Sequence, residues 1–188
     1  MFLIVNNAEK GIGEFCEPLE KILKDAGIDS KTIEYEDTLE TEISEYEGVF
    51  LSGSPRGNDI ADSRQPYFQW IKTAAKPVFG ICAGHHIVGR LYGAELLRSL
   101  EKEVGDFFVE IDNRDPVFQG FPDRFMVRQN HFDSITLPED FVLLAHSGTC
   151  KVEAIKHRRL PIYTTQFHPE FLNPRMLLNF VTIVRSRE

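Results

Sequence analysis

Residues 76–86 read Lys76-Pro77-Val78-Phe79-Gly80-Ile81-Cys82-Ala83-Gly84-His85-His86. A short apolar run passes through a glycine into a cysteine, and then into residues spaced as one face of a helix, Ile87, Val88 and Leu91. The pattern predicts a buried strand over 77–81, a tight bend at Cys82, and a helix that Gly93 can close. A cysteine on a strand-to-helix bend is pushed out beyond the sheet, and the helix N-terminus beneath it favours the thiolate. A free cysteine is ordinarily a small buried hydrophobe, and Cys16 and Cys150 are read that way. The Gly-x-Cys-x-Gly setting marks Cys82 as a candidate nucleophile.

Outward from this turn, the first half of the chain alternates two periodicities. Residues 2–6, 30–35 and 48–52 read as strands. Phe15, Leu19, Ile22, Leu23 and Ala26 mark one helical face closed by Gly27, and Tyr67, Trp70, Ile71 and Ala74 mark another with Pro66 in its first turn. Such βαβα alternation predicts an α/β fold of three layers, a mostly parallel sheet flanked by helices. Beyond Gly93 the pattern changes to short strands over 105–112, 124–129, 141–147, 151–156 and 161–167, expected to add antiparallel pairs. A closing helix is expected from Asn173 as N-cap with Pro174 in its first turn, and Leu177, Phe180, Val181 and Val184 as its buried stripe. Ligands of such sheets bind at the carboxyl ends of the strands, where both Cys82 and Ser52-Gly53-Ser54-Pro55 fall.

The whole chain sets bounds on this picture. Its 188 residues suit one domain, 1–188, with a core that needs no staples, and 42% hydrophobic and 27% charged residues are ordinary for a globular protein. A net charge of −8 argues against nucleic acid as the main partner. The one basic run, Lys156-His157-Arg158-Arg159, is explained by a solvated turn. Three cysteines are too few and too uneven for a disulfide framework, which fits a reducing compartment. With neither a signal peptide nor a long apolar stretch, a cytoplasmic protein without membrane contact is expected.

A nucleophilic thiol needs a base and something to orient that base. His168-Pro169-Glu170 follows the last predicted strand and supplies both, with Pro169 holding the segment extended. Ser52-Gly53-Ser54-Pro55 lets backbone approach a ligand, so its Gly53 amide, with the Ala83 amide after the nucleophile, could hold an oxyanion. No Gly-Lys-Ser/Thr follows it, which argues against a nucleotide phosphate loop. No histidine pair has i, i+4 spacing, and a metal on Cys82-x-x-His85 would quench the thiol. Neither a metal nor a cofactor is expected.

Four separated segments resemble the class I (triad) glutamine amidotransferase family: Ser52-Gly53-Ser54-Pro55, Gly80-Ile81-Cys82-Ala83-Gly84-His85, Gln129-Asn130-His131-Phe132-Asp133 and Gln166-Phe167-His168-Pro169-Glu170. Within it, Leu144-Ala145-His146-Ser147 and Cys150 to His157 look most like the separate glutaminase subunit of two-subunit, archaeal-type GMP synthetase. The resemblance implies a flavodoxin-like sheet and hydrolysis of glutamine through Cys82, His168 and Glu170. It also implies an oxyanion hole of Gly53 and Ala83, substrate contacts from Ser54, His86, His131 and Phe132, and ammonia delivery to a separate ATP pyrophosphatase that activates XMP. ATP chemistry is expected on another polypeptide, since this chain ends soon after its closing helix. Three positions depart from the family pattern: His86 stands where glutamine is usual, Ser54 where the second glycine of Gly-Gly-Pro is usual, and Asn6-Asn7 where Gly-Gly is usual. A stand-alone γ-glutamyl hydrolase or peptidase, or a non-catalytic paralogue, stays open as an alternative.

Overall fold

The structure, a computed structural model, describes residues 1–98 and 102–187. In chain order the strands and α-helices are β1 (Phe2–Asn6), α1 (Glu17–Asp25), β2 (Ser30–Glu34), β3 (Val49–Leu51), α2 (Trp70–Thr73), β4 (Val78–Ile81), α3 (Ala83–Leu91), β5 (Leu96–Leu97), β6 (Glu103–Ile111), β7 (Arg124–His131), β8 (Ser134–Ile135), β9 (Phe141–Ser147), β10 (Ala154–His157), β11 (Ile162–Thr165), α4 (Pro169–Leu172) and α5 (Pro174–Arg185). Nine strands form one sheet in the order β2-β1-β3-β4-β11-β10-β9-β6-β7, and β5 with β8 forms a second, two-stranded one. Pairing is parallel from β2 through β11 and antiparallel from there to β7.

Strand alternation sets the layers. On β1, Phe2 and Ile4 join the core that holds α1 and α5, and Leu3 and Val5 join the core that holds α2 and α3. Both faces are therefore covered, and the β1 run is wholly buried. The α5 stripe includes the expected Leu177, Phe180, Val181 and Val184, with Met176 added. Phe180 lies edge-on to Phe50, Phe79 and Tyr163, and its complete burial contributes roughly 1.5–3 kcal/mol. The helix thus clamps the backs of β3, β4 and β11, the three adjacent strands whose carboxyl ends point to one place.

Several boundaries differ from the sequence expectation. Phe15 precedes α1 rather than belonging to it, and Ala26 is an exposed C-cap. The 67–74 helix is split into a 3-10 turn over Gln65–Phe68 and a single α-turn. Strands β6 and β7 are long and continue the main sheet, and the β5–β8 pair went unforeseen. Strand β10 starts at Ala154 rather than 151, because Ser147 and Cys150 close a turn and the register shifts by a bulge. Asn173 stands at the α5 N-cap without a side-chain cap bond, its amide donating to the Met126 carbonyl at 3.1 Å instead. The basic run is a turn at the end of β10. Lys156 pairs with Asp115 at 2.7 Å, and the His157 ring accepts from the Arg159 and Leu160 amides at 3.0 Å. Among the described residues, no helix is long and apolar enough to cross a membrane.

Candidate active site

Cys82 takes φ 48° and ψ −99° between β4 and α3. An L-residue held there costs of order 1–3 kcal/mol and persists only where the surroundings dictate it. Here they do. The Cys82 amide donates to the Thr165 carbonyl of β11 at 2.8 Å. A Cβ on Gly80 would stand 2.8 Å from the Gly84 carbonyl oxygen, and one on Gly84 would stand 2.7 Å from that of Leu51. The turn is thus packed backbone to backbone against the end of β3, and only glycine fits at both flanks. Ala83 opens α3, where the first amides of a helix lack an intrahelical acceptor.

His168 arrives from the neighbouring strand end. Strand β11 stops at Thr165, because the Gln166 amide turns to the Glu153 carbonyl (2.7 Å) and the His168 amide to the Arg128 carbonyl (2.9 Å). Glu170 is not carried on an extended segment as expected. It lies in the first turn of α4, and its carboxylate reaches back to accept from His168 Nδ1 at 2.7 Å. The other partner of the buried imidazole is Cys82. Burial disfavours the charged ring, but the charges of Cys82 and Glu170 outweigh it and push the His168 pKa up to about 10. Phe15 stacks on the ring at 5.4 Å.

A cleft of about 560 Å³ opens over this group, lined by Cys82 and His168 and by Ser54, His86, His131 and Phe132. The four residues expected to meet substrate therefore all face it, with Phe132 half exposed at the rim. Gly53 sits against the imidazole, since a Cβ there would stand 2.9 Å from His168 Cε1 and 3.0 Å from Phe15. Ser54 does not hold a positive φ, so serine is unstrained in place of glycine. Asn7 absorbs another departure. Its amide and side chain bond the Ser52 hydroxyl and carbonyl at 2.9 and 2.8 Å, pinning the 52–54 turn. His86 is buried and donates from Nε2 to Gln166 Oε1 at 2.6 Å, and burial pulls its pKa down to about 4, so the ring is neutral.

Sequence reasoning missed Phe15 and Gln166. Phe15 was read as one more helical apolar position, and Gln166 has a role only because its strand end meets α3. Gln166 Nε2 lies 3.9 Å from Cys82 Sγ, so its carboxamide spans His86 and the thiol. A second buried group, Glu103, His131, Cys150 and Glu153, was also invisible. Its donor atoms all lie within 4.8 Å of one another and could hold a metal ion, yet its members are scattered over fifty residues. Cys16 is a buried thiol whose pKa burial pushes up to about 12, as a structural cysteine requires.

Comparison with known proteins places these features in context. Residues 12–181 match the family described as glutamine amidotransferase class-I. The glutamine-hydrolyzing subunit of GMP synthase from Pyrococcus furiosus is 31% identical over 97% of this chain and 98% of its own length. The corresponding GMP synthase subunit of Methanocaldococcus jannaschii is 35% identical over 90% and 88%. The crystal structure of a GMP synthase subunit from Thermoplasma acidophilum superposes with a TM-score of 0.88 at 30% identity, covering 100% of this chain and 96% of that one.

Proposed function

The chain belongs to the class I glutamine amidotransferase family, and on that premise we propose that it hydrolyses L-glutamine to glutamate and ammonia and passes the ammonia to a separate GMP-forming synthetase subunit. The observation that carries this is the strained Cys82, held beside an imidazole that Glu170 keeps charged at the head of a cleft. Cys82 thiolate attacks the side-chain carbonyl carbon of glutamine. The C–N bond breaks as His168 gives its proton to the leaving nitrogen, which departs as ammonia and leaves a γ-glutamyl thioester. Water then attacks the thioester, His168 takes its proton, and the thiolate is expelled with release of glutamate. The Ala83 amide and the Gly53 backbone are placed to hold the oxyanion in both steps. Glu170 orients the imidazole, and Ser54, His86, His131 and Phe132 contact the substrate.

The synthetase partner is proposed from the relatives, which are named as one subunit of glutamine-hydrolyzing GMP synthase. His86 at the cleft wall favours one other occupant, a larger γ-glutamyl compound, because an imidazole is shorter and differently branched than the usual carboxamide. The decisive measurement is ammonia release from glutamine, with and without a separate ATP pyrophosphatase, ATP and XMP, beside turnover of a γ-glutamyl dipeptide. Glutamine turnover raised by the partner, and exceeding dipeptide turnover, is expected. Dipeptide hydrolysis that outruns glutamine and ignores the partner overturns the proposal.

A further inference from the structure

Glu103 begins β6 and lies opposite His131 at the end of β7. Cys150 and Glu153 come from the loop between β9 and β10. All four are at least nine-tenths buried. His131 Nδ1 lies 2.9 Å from the Asp133 carbonyl, which can only accept, so this nitrogen carries the proton. In the neutral ring Nε2 then holds a lone pair, and it stands 3.0 Å from Glu103 Oε2. Two acceptors facing each other at that distance need a positive charge between or beside them.

The rest of the group repeats the pattern. One oxygen of each carboxylate is fixed by protein donors. Glu103 Oε1 accepts from the Thr149 hydroxyl and, at 3.3 Å, from that of Ser147. Glu153 Oε1 accepts from Gln129 Nε2 at 2.6 Å. The second oxygen of each, and His131 Nε2, have no hydrogen-bond donor. Cys150 Sγ completes the set and touches the Ser134 hydroxyl at 3.2 Å. The partners of Nδ1 and of the two bound oxygens stand where the outer partners of metal ligands stand, turning the free donors inward.

From this juxtaposition we infer that Glu103, His131, Cys150 and Glu153 form a closed, four-ligand site for one Zn²⁺ ion, distinct from the Cys82 cleft. A mixed set of nitrogen, sulfur and two oxygens suits Zn²⁺, whereas Mg²⁺ and Ca²⁺ take all-oxygen shells. Tetrahedral zinc with bonds of ~2.0–2.3 Å needs ligand atoms roughly 3.3–3.7 Å apart, so donors within 4.8 Å close on it with small side-chain shifts. Two carboxylates and a thiolate balance the ion. The Cys150 S–H bond breaks, its proton goes to solvent, and the sulfur's electron pair forms the Zn–S bond. The ion would tie the loop over 148–153 to the β6–β7 ends, directly behind the His131 and Phe132 wall of the cleft. Its role is to hold that wall, and no reaction step passes through it.

The test uses the full chain as Cys82→Ala, which removes the cleft thiol as a competing ligand. After chelator treatment and dialysis, the protein is titrated with Zn²⁺ by calorimetry and with Co²⁺ by absorption. One metal per chain is expected, with the near-ultraviolet sulfur-to-cobalt charge-transfer band of a thiolate ligand and a zinc-dependent rise in Tm. Adding Cys150→Ala should abolish the band, and Glu153→Gln should weaken Zn²⁺ binding by about 10–100-fold or more. Failure of the folded Cys82→Ala protein to bind either metal overturns the site, because protons then balance the buried charges. A band that survives Cys150→Ala also overturns it.

Discussion

Two buried groups built from the same three residue types serve this molecule in contrasting ways. Cys82, His168 and Glu170 meet where three adjacent parallel strands end, and the sulfur and imidazole face an open cleft. Glu103, His131, Cys150 and Glu153 meet in the antiparallel part, with only the edge of His131 reaching that cleft. In the first group every strong donor has an acceptor, and the backbone of Cys82 is strained to present the thiol. In the second the backbone of Cys150 is relaxed, while three acceptors converge without a donor. Residue type is thus a poor guide to role. Strain with access suits a nucleophile, and convergence without access suits an ion.

The largest effect expected of this contrast separates the thiols. One equivalent of iodoacetamide should label Cys82 alone and stop glutamine turnover, and Cys82→Ala should lower kcat by about 10⁴-fold or more with the fold intact. Cys16, held protonated by its burial, and Cys150, shut in the interior, should label only on unfolding. Peptide mapping reads the result directly. Label on Cys150 in the folded protein, or turnover that survives loss of Cys82, would break the contrast.

A smaller effect tests the charge that distinguishes His168. Glu170→Gln keeps an oxygen for Nδ1 but removes the anion, one of the two groups that raise the His168 pKa. With less support for the charged ring, its pKa moves down. The alkaline limb of the kcat/KM profile should shift to lower pH, and kcat should fall by roughly 10²-fold. A profile with an unmoved alkaline limb would mean that Glu170 does no more than pack.

Legibility followed locality. The turn at Cys82 could be read because its geometry is dictated by glycines within a few residues, each of which the structure packs against backbone. Strand β1 and the stripe of α5 were equally plain, since burial on both faces or on one writes an unbroken or a periodic apolar pattern. The position of His168 was readable as a strand end, but the route of Glu170 through the first turn of α4 was not, because a proline suits either an extended segment or a helix start. Phe15, Gln166 and the Glu103 group were hidden for another reason. Each takes its meaning from a partner far along the chain, and Glu103 meets His131 only through the β6–β7 register.

The smallest effect concerns the residues that join the two regions. Gln166 links the Glu153 backbone on one side with His86 and Cys82 on the other. The His86 it holds has a folded pKa of about 4 against an ordinary value of 6.5. At pH 5 the unfolded chain therefore takes up a proton that the folded chain refuses, which favours unfolding. The contribution of neutral His86 is complete above pH 6.5 and is lost as pH falls through 4. It amounts to about 2 kcal/mol between pH 7.5 and pH 5. His85, buried beside it and depressed for the same reason, adds a fall of the same sign. In His86→Gln a carboxamide can still donate to Gln166, so the bridge is kept while one titrating group is removed. Urea unfolding at the two pH values should then show a drop in stability smaller by about 2 kcal/mol than in the parent. An equal drop in both proteins would mean that the bridge between the two regions takes up its proton without opening, and that acid acts elsewhere.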